Sequence, residues 1–339
     1  MTLPEDILKH FGIDGVCSPL GSGHIHKTFK VSGKKNFVLQ RVNKNVFTKP
    51  EIIASNNRIA FEFFQKKHPE YTFPQPRPTK KGDDLHYDDD GFPWRVFPLI
   101  ENTFTIDEVS SEQDAFEAAK GFGSLTKNLQ GVDVSLFQPT LERFHDLAWR
   151  YEQFEDALRK AKSETMATCE NEIAQAKSFE FLAKEYTELI KKNQLVLSVM
   201  HNDTKVNNIL FDLGSRKAVC AIDLDTLMPG YFIYDLGDMV RTFVSPVSEE
   251  EKDISKVQFR KNIYDSLLKG YLSEMEKILT PDEKKSIPFA GKMMTYIMAL
   301  RMLADFLRGN TYYQITYPTQ NLVRARNQFR LLELIVAST

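Results

Sequence analysis

Cysteine is scarce. Cys17, Cys169 and Cys220 are scattered through 339 residues with no metal-ligand spacing. An odd, dispersed set of three excludes a disulfide framework and a zinc ribbon, and a reducing cytoplasm is the expected setting. Long apolar runs are missing too, since none approaches the about eighteen residues that a membrane span requires. The start, Met1-Thr2-Leu3-Pro4-Glu5-Asp6, has neither the basic nor the apolar region of a secretory leader. Excess charge of one sign is also absent. Forty-four Lys and Arg against 46 Asp and Glu give a net charge of −2, which leaves no electrostatic basis for binding nucleic acid or an anionic membrane. A phosphate-binding Walker A loop is not present, because no Lys-Ser or Lys-Thr pair follows a glycine at the required spacing.

What the chain does contain suits a two-lobed globular protein. Its length exceeds one small core, and 25 phenylalanines supply a large aromatic interior. Residues 1–100 read as a sheet-rich lobe. Strands are predicted at Cys17 to Leu20, Thr28 to Ser32 and Asn36 to Arg41, the last two joined by the turn Ser32-Gly33-Lys34-Lys35. A helix follows over Lys49 to Lys67, and Phe73-Pro74-Gln75-Pro76-Arg77-Pro78 is too rich in proline for either regular element. Gly82 to Gly91 reads as a solvated hairpin tip. Its Asp88-Asp89-Asp90-Gly91 lacks the alternating ligand positions of a calcium loop. Trp94 to Ile100 is a further strand, with a hinge near Pro98 to Asn102. Residues 101–339 are mostly helical. Apolar residues step by three and four from Ala115 to Leu129, Phe179 to Leu189, Met293 to Leu307 and Leu322 to Ile335.

The chemistry concentrates between residues 195 and 225. Leu195 to Met200 reads as a buried strand, and the polar stretch His201 to Asn207 cannot continue it. Asn208 to Phe211 and Ala218 to Ile222 are short strands that a hairpin about Ser215 and Arg216 would pair, placing Asn208 opposite Asp223. Asp203 lies on the loop just before. An acid on a loop beside an Asn/Asp pair suits phosphoryl transfer. One carboxylate takes the proton of the acceptor hydroxyl, while amide and carboxylate oxygens hold Mg²⁺. Each residue alone would be an ordinary turn residue; the joint pattern points to the chemistry. Upstream, Gly21-Ser22-Gly23 sits between two strands, where glycines let main-chain N–H groups approach phosphates.

His201-x-Asp203-x-x-x-x-Asn208 with Ile222-Asp223 resembles the signature of the aminoglycoside phosphotransferase and choline kinase superfamily, relatives of the protein kinases. One branch is closer. Gly21-Ser22-Gly23-His24-Ile25, Phe37-Val38-Leu39-Gln40, Trp94-Arg95-Val96, His201-Asn202-Asp203-Thr204-Lys205, Ile222-Asp223-Leu224-Asp225-Thr226, Met228-Pro229-Gly230 and Asn321-Leu322-Val323-Arg324 are similar to the N-acetylhexosamine 1-kinases. The similarity runs from about residue 11 to about residue 330. It implies an α+β, protein-kinase-like fold with a small β-rich N-lobe and a larger, mostly helical C-lobe. It further implies ATP and Mg²⁺ as cofactors, and transfer of phosphate to the anomeric hydroxyl of N-acetylglucosamine or N-acetylgalactosamine.

Carried onto this sequence, the resemblance makes Asp203 the catalytic base, assisted by Lys205, and makes Asn208 and Asp223 the metal ligands. ATP would be held by Gly21, Ser22, Gly23, Val38 and Gln40, with adenine against a hinge within Arg95 to Ile100, including Pro98, Leu99 and Ile100, and with Val96 and Ile209 or Phe211 as further apolar walls. The sugar would meet His24, Asp203, Arg301 and Tyr312. His201 and Asp235 are expected to support the loop. Gln40 stands where protein kinases carry a phosphate-binding lysine, so another group must replace that cation. Arg301 and Asp305, four apart on a helix, are also spaced for a plain ion pair. Choline, ethanolamine or aminoglycoside kinases and a non-catalytic nucleotide-binding protein are the alternatives; Tyr312, Tyr313 and Tyr317 would form the aromatic cage that choline demands.

Overall fold

A computed structural model describes residues 3–21 and 26–339. Ser22, Gly23 and His24, expected at the phosphates and the sugar, lie outside the described residues. The strands are β1 (Val16–Pro19), β2 (Lys27–Ser32), β3 (Phe37–Arg41), β4 (His86–Tyr87), β5 (Pro93–Pro98), β6 (Thr103–Phe104), β7 (Ser198–Met200), β8 (Ile209–Asp212), β9 (Ala218–Ala221) and β10 (Met228–Gly230). The helices are α1 (Pro4–Phe11), α2 (Pro50–Lys67), α3 (Glu112–Asn128), α4 (Leu147–Lys160), α5 (Ser163–Ala167), α6 (Glu170–Ser178), α7 (Glu180–Lys191), α8 (Phe232–Phe243), α9 (Lys261–Met275), α10 (Pro281–Lys285), α11 (Ile287–Leu307) and α12 (Gln320–Ser338). They form two compact units. The first is Met1–Phe104 with Asn128–Glu142 and Leu210–Pro229; the second is Thr105–Lys127 with Arg143–Ile209 and Gly230–Thr339.

In the first unit an antiparallel sheet runs in the order β1-β2-β3-β5-β4. Side chains alternate between its faces. One face packs Val31, Phe37, Leu39, Trp94 and Val96 against Ile7, Leu8 and Phe11 of α1. The register sets Thr28 and Arg95 on either side of Gln40, and Lys30 and Phe97 on either side of Val38, so these residues share the opposite face. Val96, expected as an adenine wall, therefore faces the α1 core, and Phe97 stands beside Val38 instead. A second sheet, β6-β8-β9, contains the anticipated hairpin. Its turn is closed by Asp212, whose side chain accepts from the Ser215 N–H at 2.7 Å.

Two local expectations change. The aspartate run after β4 is not wholly solvated. Asp88 is buried and accepts from Trp94 Nε1 at 2.9 Å, Phe92 N at 2.8 Å and Arg41 Nε at 3.1 Å. Burial alone would raise its pKa, but these donors hold it below the usual carboxylate value. The apolar run from Leu195 yields a strand only at Ser198–Met200, because Val196 and Leu197 are 48% and 50% exposed.

The second unit is built around α11, which is apolar around most of its circumference and correspondingly buried. It packs along α12, α8 and α4. At the α8 crossing, a Cβ on Gly237 would lie 2.4 Å from the carbonyl oxygen of Ala290, so only glycine permits this approach. That close packing fixes α8, whose first turn carries Asp235. Among the described residues no helix is long and apolar enough to cross a membrane.

Candidate active site

In the second unit β7 ends at Met200 and the chain turns sharply, with Asn202 in the left-handed region at φ 64°. Such a conformation costs energy and persists only where surrounding contacts impose it. Asp235 imposes it here. Its fully buried carboxylate accepts from the N–H groups of His201 at 3.1 Å and Asn202 at 2.7 Å, and its carbonyl accepts from Thr204 Oγ1 at 2.7 Å. Burial pushes the Asp235 pKa up to about 6, moderated by His201 and the two N–H donors. His145 Nε2 donates to the Asn202 carbonyl at 2.8 Å. Burial lowers the pKa of that imidazole to about 4, so it is neutral there. His201 Nδ1 accepts from the Asp203 N–H at 3.2 Å and its ring packs edge-on against Phe122 of α3, which is the loop-holding role expected of it.

Held this way, the loop presents Asp203. Asn208, one short 3₁₀ turn later, donates its Nδ2 to the Asp203 carbonyl at 2.9 Å and to its Oδ2 at 3.2 Å. With the amide nitrogen so engaged, its oxygen is the atom suited to a cation. Lys205 Nζ lies 3.1 Å from Asp203 Oδ1. Burial acts to raise the Asp203 pKa, but the charge of Lys205 and the neighbouring His201 hold it below the ordinary value, so the carboxyl group is ionised.

The first unit carries Asp223, exposed and itself left-handed at φ 57°. Its carboxylate, that of Asp225 and the imidazole of His26 offer atoms within 4.8 Å of one another. His26 Nδ1 accepts from the Asn43 N–H at 3.0 Å, so Nε2 carries the proton and donates to Asp225 Oδ2 at 2.6 Å. The other Asp225 oxygen lies 2.5 Å from Arg95 Nη2. Burial alone would raise the Asp225 pKa, yet Arg95 and the hydrogen-bonded His26 bring it to about 2. Asp223 adds a second carboxylate to this cluster, and carboxylate and amide oxygens suit a hard divalent cation such as Mg²⁺.

On the expected nucleotide side, Val38 and Gln40 share one sheet face. Of the residues expected at the hinge, Leu99 spends its N–H on the Asn36 carbonyl at 3.0 Å, the Ile100 carbonyl accepts from Thr103 Oγ1 at 2.7 Å, and Pro98 is exposed. On the expected acceptor side, Arg301 lies over the rings of Phe144 and Tyr313, 5.1 and 5.6 Å from their centroids. It does not pair with Asp305. That buried carboxylate gathers the N–H groups of Thr311, Tyr312 and Tyr313 at 2.8–3.0 Å and the Asn321 amide at 2.9 Å. The loop after α11 is thereby wrapped around Asp305. Tyr312, 66% exposed, stands edge-on to Tyr313. Arg301 is left without a carboxylate partner among the described residues.

Residues 16–267, well over half of the chain, match the phosphotransferase enzyme family. The chain belongs to that family. Solved structures similar to this phosphotransferase share its fold. A microcompartment-associated aminopropanol kinase is 18% identical, with a TM-score of 0.69 over 98% of this chain and 97% of that one. Spectinomycin phosphotransferase, solved with ADP and spectinomycin, is 15% identical with a TM-score of 0.59 over 98% and 97%. A choline/ethanolamine kinase family protein from Mesorhizobium loti is 18% identical with a TM-score of 0.53 over 98% and 94%. The antiparallel sheet and the helical C-terminal region are the kinase-like α+β architecture that the motifs implied.

Sequence reasoning alone did not assign roles in this phosphotransferase to His26 or His145, and it placed Arg95 only at the start of the expected hinge strand, with no role for its side chain. For Arg95 a signal existed, since a charged residue inside an otherwise apolar strand must find a partner. Asp235 provides the first test. Asp235→Asn keeps one acceptor oxygen for two N–H groups and loses a charge-assisted bond worth about 1.5–3 kcal/mol. A loop displaced by about 1 Å costs roughly 10²-fold in rate, and kcat is expected to fall by that order with a smaller change in KM for nucleotide. Because its folded pKa is raised, the stability Asp235 contributes is complete below about 3.8 and lost as pH rises through about 6. The variant should lack this pH dependence in thermal melts. Unchanged kcat would show that the loop does not depend on the carboxylate.

Proposed function

We propose that this phosphotransferase is an ATP-dependent kinase that phosphorylates the anomeric hydroxyl of N-acetylglucosamine or N-acetylgalactosamine. The observation that carries the reading is the ionised Asp203, held on a loop fixed by Asp235 and contacted by Asn208 five residues on. Asp203 orients the acceptor hydroxyl and takes its proton as the bond to phosphorus forms. Lys205, beside it, screens charge on the transferring group. On the motif resemblance, Asn208 and Asp223 would supply oxygen ligands to Mg²⁺, which when bound would neutralise phosphate charge. The sugar branch rests on the motif resemblance, and the acceptor-side residues support it over cationic acceptors. Of the tyrosines that a choline cage would use, Tyr317 already faces Lys252 Nζ at 4.3 Å and Tyr313 faces Arg301. Arg150, whose pKa is lowered to about 9 by burial and then by Arg301, adds a second positive charge nearby. Choline and polycationic aminoglycosides would be repelled; a neutral sugar would find donors and aromatic edges.

An ATP-consumption screen across N-acetylhexosamines, hexoses, choline, ethanolamine and aminoglycosides tests this directly. N-acetylhexosamines are expected to give the highest kcat/KM, and turnover confined to choline or an aminoglycoside would contradict it. Arg301→Gln removes a charge-assisted hydrogen bond worth about 1.5–3 kcal/mol, so KM for sugar should rise about 10–100-fold with KM for ATP within about twofold. Equal increases in both would remove Arg301 from the sugar site.

A further inference from the structure

The cation that protein kinases place on the third strand is missing at Gln40, and so is the helix glutamate that pairs with it. On α2 the buried polar residues are Asn56 and Asn57, while Glu51 is bonded to Tyr87 and Glu62 is exposed. The two asparagines hold the segment after Asp223 by other means. Asn57 Nδ2 donates to the Leu224 carbonyl at 3.2 Å and Asn56 Nδ2 to the Leu227 carbonyl at 2.9 Å. An ion pair nevertheless occurs within reach of the vacated position. Arg95 is the register partner of Gln40 on β5, and its Nε donates to Gln40 Oε1 at 3.0 Å. Gln40 in turn donates to Thr28 Oγ1 at 3.2 Å. Arg95 Nη2 meets Asp225, which His26 holds from the other side.

We propose that Arg95 is the cation that holds the nucleotide phosphates in this chain, with Asp225 replacing the helix glutamate as its counter-charge. This rests on the reading of the protein as an ATP-dependent kinase, though not on the identity of the acceptor. Three features support it. Arg95 and Asp225 are almost wholly buried, and a buried pair adds little stability over apolar residues of the same size, so packing alone does not explain it. A guanidinium carries five donors in a planar fork. Those committed to Gln40 and Asp225 leave others for a phosphate oxygen. Arg95 also lies on the sheet face of Val38, and its partner Asp225 is two residues from Asp223, so phosphate held by Arg95 is coupled to the segment that carries the proposed metal ligand. Among the described residues of this face Lys30 is the other cation, opposite Val38 in the register.

Calorimetry with adenosine, ADP and the non-hydrolysable ATP analogue AMP-PNP, each with Mg²⁺ and without acceptor, tests the assignment. Arg95→Gln is expected to weaken AMP-PNP and ADP at least 30-fold and adenosine by less than twofold, with Arg95→Lys recovering most of the loss. Because Arg95→Gln strands a buried carboxylate, the double variant R95Q/D225N removes both charges. It should melt within a few degrees of the parent, keep adenosine and still bind ADP weakly. Adding Gln40→Lys to that double variant returns the cation to the neighbouring strand and should restore at least tenfold. Lys30→Met should change ADP binding less than threefold. Parental ADP affinity in R95Q/D225N, parallel loss of adenosine and ADP, or a loss confined to Lys30→Met would overturn the proposal. Failure of the parent protein to bind any adenine nucleotide would instead overturn the kinase reading, and this assignment with it.

Discussion

Replacing Asp203 by Asn is expected to lower kcat by roughly 10²–10⁴-fold, the range typical of a lost general base. The substitution is nearly isosteric. The loop is anchored at His201, Asn202 and Thr204 by Asp235, and the Asp203 main-chain carbonyl still accepts from Asn208, so the fold should be unaffected. The melting temperature should stay within a few degrees, and ADP affinity by calorimetry should be unchanged. A loss of kcat with nucleotide binding intact is the signature of an interaction made only in the transition state. Near-normal turnover on the best acceptor would mean that another group takes the proton.

Asp223→Ala is expected to reduce turnover about 10²–10³-fold, corresponding to the several kcal/mol that a bound metal supplies through charge stabilisation. Here the backbone complicates interpretation. Asp223 sits at φ 57°, where an alanine costs about 1–2 kcal/mol that aspartate offsets better. Asp223→Gly separates the two effects, since glycine adopts this conformation freely and carries no ligand oxygen. If the carboxylate serves a metal, the Gly and Ala variants should be equally inactive, and Asp223→Asn should recover part of the activity as Mg²⁺ is raised. A Gly variant with parental activity would reduce Asp223 to a turn residue.

The legible parts of this chain were those written in local pattern. The steps of three and four gave the helices from Ala115 and from Met293, and the turn after Asp212 gave the β8–β9 hairpin, because period and turn chemistry are properties of adjacent residues. Leu195 to Leu197 shows where pattern stops, since an apolar run does not state whether it is covered. Asp88 was misread for a related reason. In isolation it is one of three acids in a turn, and its burial depends on Arg41, 47 residues away. Arg301 and Asp305 had the spacing of an ion pair, yet Asp305 is claimed by loop N–H groups up to eight residues beyond it. The Arg95–Asp225–His26 group was least accessible, with His26 and Asp225 separated by 199 residues. The motifs of the resemblance include Arg95 and Asp225 but not His26, and they do not state which of these side chains meet.

The most direct test of the central claim is the position of the phosphate. The protein would be incubated with ATP, Mg²⁺ and N-acetylglucosamine or N-acetylgalactosamine, and the product examined by phosphorus NMR. Coupling of the new phosphorus signal to the anomeric proton, identifying a sugar 1-phosphate, is the expected result. Phosphate on C6, or no sugar phosphate at all alongside turnover of choline or an aminoglycoside, would contradict it.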